Sequence, residues 1–227
     1  MHLDDFKNLI RTKLVSNDET SRHELITILQ DGVLRELIEN ILSNKTDLLE
    51  IANQSYEHAN GFIKIVLFDE RPKAMIRIHL WPEGKDINSD IHNHPWDFSG
   101  VVISGEYTWA IFDDSGNLGT SFHMYNCVYS DDYRGHIFEN LEEKKLRKVL
   151  DFDLKKGARY NSDGKLFHSV FNKSDDLAIT LMVCGDSHSK EAQVAANTIK
   201  QSATSFRNDS MSKYNLIRIL QIILEKI

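Results

Sequence analysis

This sequence lacks the features that mark several large classes of protein. Its only cysteines, Cys127 and Cys184, stand far apart without CxxC spacing. That excludes a disulfide framework and a cysteine-built zinc knuckle, and each is expected to be a buried, reduced thiol. Cationic residues are also in the minority, 27 Lys and Arg against 34 Asp and Glu, for a formal net charge of −7. Phosphate backbones require a clustered cationic excess, so nucleic acid is not an expected partner. No window approaches the ~18 apolar residues of a membrane span, and the stretch from Met1 to Ile10 lacks the basic start and apolar run of a secretory signal. A cytoplasmic protein with no membrane partner is expected.

What the chain does contain is unevenly placed. All three prolines, ten of the eleven glycines and 17 of the 21 aromatic residues lie between Gly61 and Gly185. Turn formers with aromatics indicate strands there and helices on either side. The expected organisation is a helical segment 1–60, a β-barrel 61–187 and C-terminal helices 188–227. Phe6, Ile10 and Leu14 are spaced by four, and Asp18 caps a run containing Leu25, Ile28 and Leu29 that Gly32 should break. Leu34, Leu37, Ile38 and Ile41 continue the helical period, with a short helix over 48–54. At the other end, 189–206 reads as a modest amphipathic helix, and Leu216, Ile219, Leu220, Ile223 and Ile227 form an apolar stripe. That stripe has two accounts, packing on its own barrel or a homodimer contact.

Between them, strands are expected over 62–68, 75–81, 98–103, 106–112, 121–129, 146–154, 167–171 and 177–184. Eight short strands with no helical crossover describe an antiparallel barrel or jelly roll. Two histidines in an extended stretch, His92 and His94, point to one face and can share an ion, and His168, opening a later strand, is the best third ligand. All-imidazole donors suit iron, zinc, copper or nickel better than calcium or magnesium.

The run His92-Asn93-His94-Pro95-Trp96-Asp97-Phe98 through Gly105 resembles the first motif of the cupins, and Gly157 through His168 to Asn172 is similar to the second. The resemblance implies a mainly β fold: a single cupin barrel, the double-stranded β-helix or jelly roll, with N-terminal and C-terminal α-helical extensions. The acid that usually follows the paired histidines is missing, since Phe98 and Ser99 stand there and Asp97 should face away. A three-histidine site without a carboxylate resembles the thiol dioxygenases, the cysteine dioxygenase-like cupins, over about residues 45–190. That resemblance implies ferrous iron as the cofactor, with nickel, zinc or manganese as alternatives, and dioxygen and a small thiol or carboxylate substrate as partners. Several family features do not carry over. The crosslinking Cys is replaced by Phe98 or Ser99, the distal Tyr and His by the run Leu181 to Cys184, and the clamping Arg has only Lys64 as a counterpart.

Three further residues are catalytic candidates. Alternation along 75–81 puts Arg77, His79 and Trp81 on one face and Ile76, Ile78 and Leu80 on the other. If the aliphatic row packs outward against the helices, Arg77 and His79 line the barrel mouth, where the guanidinium could clamp a carboxylate. If that row faces the core, Arg77 is a surface cation. Tyr160, eight residues before His168, would supply a phenolic donor at the same mouth or serve as a core tyrosine. Trp96 and Trp109 read as packing residues, and His2, His23, His58, His123, His136 and His188 as exposed or locally hydrogen-bonded. The functional expectation is a non-heme iron dioxygenase acting on an amino-acid-like substrate. The alternatives are a non-enzymatic metal- or metabolite-binding sensor and a metal-dependent isomerase.

Overall fold

The computed structural model describes all residues except 59, 84–86, 89, 115, 117, 132–134, 173 and 198–205. Four helices come first: α1 (Leu3–Lys13), α2 (Glu19–Ile28), α3 (Leu34–Ser43) and α4 (Lys45–Gln54). The Asp18 carboxylate accepts the Ser21 N–H to start α2, and the Asn44 side chain does the same for Thr46 at the start of α4. Gly32, at φ 97°, breaks the path between α2 and α3 as expected, because that left-handed conformation costs a side chain least at glycine.

The strands are β1 (Tyr56–Glu57), β2 (Ile63–Glu70), β3 (Ala74–Trp81), β4 (Ile87–Asn88), β5 (Ile91–His92), β6 (Trp96–Ser104), β7 (Glu106–Asp114) and β8 (Thr120–Tyr129). Then follow β9 (Gly135–Asn140), β10 (Lys144–Lys155), β11 (Arg159–Ser162), β12 (Phe167–Asn172), β13 (Ala178–Ser187), β14 (Glu191–Ala196) and β15 (Phe206–Arg207), before the final helix α5 (Lys213–Lys226). They form two antiparallel sheets. One runs β1-β2-β3-β13-β6-β11, and the other β10-β7-β12-β5-β14-β8-β9-β15, with β10 also pairing β8 so that the second sheet curls on itself. This is the mainly β, two-sheet barrel with terminal helices that the strand spacing implied.

All eight expected strands are present, and the misjudged segment is 189–206. Glu191–Ala196 is a strand, not a helix, paired on one side with β8 and on the other with β5, and 198–205 lies outside the described residues. The barrel therefore extends past residue 187, and among the described residues only α5 is helical in the C-terminal segment. A six-residue strand between two partners takes its conformation from their ladder hydrogen bonds, which local periodicity does not report.

Two packed layers result from strict alternation. Ile65, Leu67, Ile76, Ile78, Leu80, Val101, Ile103, Ile179, Leu181 and Val183 point outward from the first sheet into a core shared with the helices. Leu216, Ile219, Leu220 and Ile223 of α5 belong to that same core, so the chain itself buries the stripe. The opposite parity, including Val66, Met75, Trp81, Trp96, Phe98 and Val102, faces the barrel interior. Both cysteines are buried, and neither is in a disulfide among the described residues. No helix among the described residues is long and apolar enough to cross a membrane.

Candidate metal centre and cavity

Register assembles the three histidines. His168 on β12 is the ladder partner of His92 on β5, and His94 lies two residues beyond on the same face. A ring nitrogen of each lies within 4.8 Å of the others, and the ring centroids are 4.6 to 5.1 Å apart. Two backbone carbonyls set the tautomers. His92 Nδ1 lies 2.7 Å from the Asp90 carbonyl and His168 Nδ1 3.1 Å from that of Leu166. A carbonyl only accepts, so each Nδ1 carries the proton and each Nε2 keeps its lone pair. Burial holds His92 down to about 4 against the opposing pull of the Asp90 carbonyl, and drives His94 and His168 well below the ordinary histidine value. Three neutral imidazoles with lone pairs gathered in one place fit a transition-metal ion.

Asp97 has another task. Its carboxylate faces away from the cluster and accepts the Gly164 N–H at 2.8 Å, while the Gly164 carbonyl accepts the His94 N–H at 2.7 Å. The turn before β12 is thereby clamped to the β5–β6 connection that carries His94 and to the start of β6. A Cβ on Gly164 would sit 2.5 Å from the Trp96 carbonyl oxygen, so this close approach requires glycine. Phe98 occupies the place of the missing acid, edge-on to His94 at 5.1 Å. Among the described residues the metal-competent cluster contains no carboxylate.

The triad opens into a cavity of about 900 Å³ that also reaches Arg77, His79 and Tyr160. Of the two readings for the strand over 75–81, the interior one is realised. Arg77 and His79 are each only 4% exposed and face inward, with the aliphatic row packed on the helices. Arg77 is not a surface cation. Its guanidinium lies over Trp96 at 5.8 Å and donates from Nη2 to the Met182 sulfur, while its Nε has no partner. No carboxylate pairs with it among the described residues. The Trp96 ring also stacks with His94 at 5.8 Å, which sets Arg77 beside the triad. Buried His79 is held neutral, well below its ordinary value, by burial and then by Arg77, and its Nε2 is unpartnered.

Tyr160 is reached through a gap left by Gly100. The two are ladder partners, and a Cβ on Gly100 would fall 2.3 Å from Tyr160 Cζ. Burial pushes the phenol up to about 12 against hydrogen bonds to Tyr107 and Thr180, so it keeps its proton at neutral pH. Trp109 stacks on His168 at 4.5 Å and also lines the cavity.

Three cavity residues carried weak sequence signals. His58 and His136, expected to be exposed or locally bonded, line the cavity, and His58 stacks on Phe62 at 4.5 Å. Lys64 also lines the cavity, with its Nζ beside the Phe62 and Tyr56 rings. Its signal was a lone lysine in the apolar run Ile63 to Phe68, on the parity of Phe62 and Val66.

No family model matches the sequence, and no curated protein matches it either. Solved structures similar to the chain include a conserved protein with a double-stranded β-helix domain from Klebsiella pneumoniae, at 15% identity over 62% of this chain and 84% of that one, with a TM-score of 0.37. The cupin domain of Schizosaccharomyces pombe Cnp3 is similar at 11% identity, 56% of this chain, 61% of that one and a TM-score of 0.35. The iron(II) form of HppE is similar at 11% identity, 59% of this chain, 55% of that one and a TM-score of 0.37. Likenesses this distant carry no argument about the chemistry of the triad.

Proposed function

We propose that the chain is a cysteine dioxygenase-like cupin oxygenase that holds iron(II) on His92, His94 and His168 and adds dioxygen to a small carboxylate substrate. The observation that carries this reading is the conjunction, in one cavity, of three neutral histidines without a carboxylate and the buried, unpaired guanidinium of Arg77. His92, His94 and His168 would hold the iron, which would supply the redox chemistry with dioxygen. In dioxygenation both oxygen atoms enter the substrate, so no external reductant is needed.

The chain's own residues supply the rest. Arg77 holds the substrate carboxylate through its N–H groups and, because it shares Trp96 with His94, orients the reacting end toward the triad. Tyr160 presents a protonated hydroxyl, a hydrogen-bond donor to charge that develops on the substrate. His79, neutral and unpartnered, is a second polar contact on the same wall. The aromatic lining of Phe62, Trp81, Tyr107 and Trp109 keeps water out. Two buried cysteines without a disulfide suit a reducing, cytoplasmic setting.

Metal content of the purified protein and oxygen uptake with a panel of small thiols and amino acids test the proposal. Stoichiometric iron, lost in His92→Ala, together with substrate-dependent oxygen uptake is expected. Absence of a transition metal sinks it. Ligand-induced stabilisation without turnover would instead identify a binding protein, and turnover under anaerobic conditions an isomerase.

A further inference from the structure

We propose that the ligand of this cavity is a dicarboxylate, with one carboxylate at Arg77 beside the triad and the second at Lys64 farther along the same wall. This rests on the reading of the cavity as a substrate site and adds the ligand's second charge.

The argument begins with register. Lys64 on β2 stands opposite His79 on β3, and Arg77 opposite Val66. The two cations are therefore diagonal neighbours on the inner face, about 7 Å apart at Cβ. Their charged ends diverge. The Arg77 guanidinium turns to Trp96 and Met182, on the side of His94. Lys64 Nζ turns the other way, to 5.2 Å from the Phe62 ring and 5.6 Å from that of Tyr56. His79 lies between them with its unpartnered Nε2.

Neither cation has an acid to balance it among the described residues. Of the two carboxylates on the same strand as Lys64, Glu70 is paired with Arg11, and Asp69 is taken up by Arg71, whose Nε and Nη2 reach its two oxygens at 2.8 and 2.6 Å. Glu57 and Asp209 border the cavity but are exposed, and half-buried Asp90 lies on the His92 side and is not among the groups that weigh most on Lys64. The influences that weigh most on the Lys64 ammonium are burial and the guanidiniums of Arg77 and Arg71, and all three oppose its charge. A half-buried ammonium in such company either gives up its proton or takes an anionic partner, and a carboxylate beside it would hold the charge. One compact oxyanion does not span two heads that point apart from a 7 Å diagonal, whereas two carboxylates on a short carbon spacer do. The cavity, at about 900 Å³, has room for them.

The test is calorimetric titration of the full chain, its metal content recorded, with succinate and glutarate against their monoamides and with phenyl phosphate. The wild type should bind one or both diacids at least about tenfold more tightly than the matching monoamide, the scale of one charge-assisted contact. Lys64→Gln should abolish that preference and leave monoamide affinity within about twofold, while Lys64→Arg retains it. Because Lys64 pairs with no carboxylate among the described residues, the melting temperature of Lys64→Gln without ligand should fall little, which separates lost binding from lost folding. Equal binding of diacid and monoamide, a preference that survives Lys64→Gln, or tighter binding of phenyl phosphate than of either diacid would overturn the proposal. The two readings fail separately. A protein without iron or oxygen uptake that still prefers diacids defeats only the oxygenase, and an active iron protein without the preference defeats only the Lys64 subsite.

Discussion

Replacing Arg77 with methionine should make the protein more stable and less able to bind a carboxylate. Arg77 is 4% exposed, its Nε has no partner, and no carboxylate pairs with it among the described residues. A buried unsatisfied donor costs about 1–3 kcal/mol, and the desolvated charge costs several more. Against this, the guanidinium over Trp96 returns about 2 kcal/mol in a dry setting, and a methionine of similar length keeps most of the packing. The balance favours Arg77→Met by about 2 kcal/mol. For a chain of 227 residues that corresponds to a rise in Tm of about 4–8 °C. Loss of a buried charge partner should cost a bound carboxylate about 2–5 kcal/mol, at least ~30-fold in Kd. Scanning calorimetry without ligand gives the first quantity and titration with a carboxylate gives the second. A Tm lowered by several degrees would show that Arg77 is a structural residue satisfied within the protein, and unchanged carboxylate affinity would remove it from the ligand site.

Three other variants probe the scaffold. Gly100→Ala places a Cβ 2.3 Å from Tyr160 Cζ and should cost about 1–3 kcal/mol in urea unfolding, with much of the loss recovered in Gly100→Ala/Tyr160→Ala; absence of coupling would mean that the two residues do not press on one another. Leu220→Ala, at a position with no exposure, should cost about 2–5 kcal/mol and leave the elution volume on size exclusion unchanged, whereas a shift to a smaller species would place the α5 stripe at an interface between copies. His79 is held neutral in the folded protein but takes a proton near pH 6.5 when unfolded, so the unfolded state binds more protons on acidification. Stability should therefore fall as pH drops below about 6.5, by up to ~1.4 kcal/mol per pH unit for this residue, and His79→Gln should flatten the slope; an unchanged slope would contradict a neutral His79.

Much of the site was legible because its spacing carries geometry. Residues two apart in an extended stretch share a face, which aligned His92 with His94 and set Arg77 and His79 on the parity opposite Ile76 and Ile78. The missing acid could be read as well, since Phe98 stands where it would be expected. Asp97 shows the limit of that reading. Its parity could be inferred, but its acceptance of the Gly164 N–H depends on a turn 67 residues later meeting the strand. The segment Glu191–Ala196 was misread for a related reason, because its strand form comes from β5 and β8 rather than from its own period.

By itself the sequence determined eight of the strands, the N-terminal helices, α5 and the three candidate histidines, since alternation, capping residues and turn formers act over a few residues. Tertiary structure alone decided which face of β3 was interior. Both rows of that strand could be buried, and only the packing of five helices on the aliphatic one turned Arg77 and His79 inward. It also decided that Lys64 and Arg77 share a wall without a balancing acid. Charge balance within a cavity depends on which distant side chains converge there, and the order of residues along the chain does not record it.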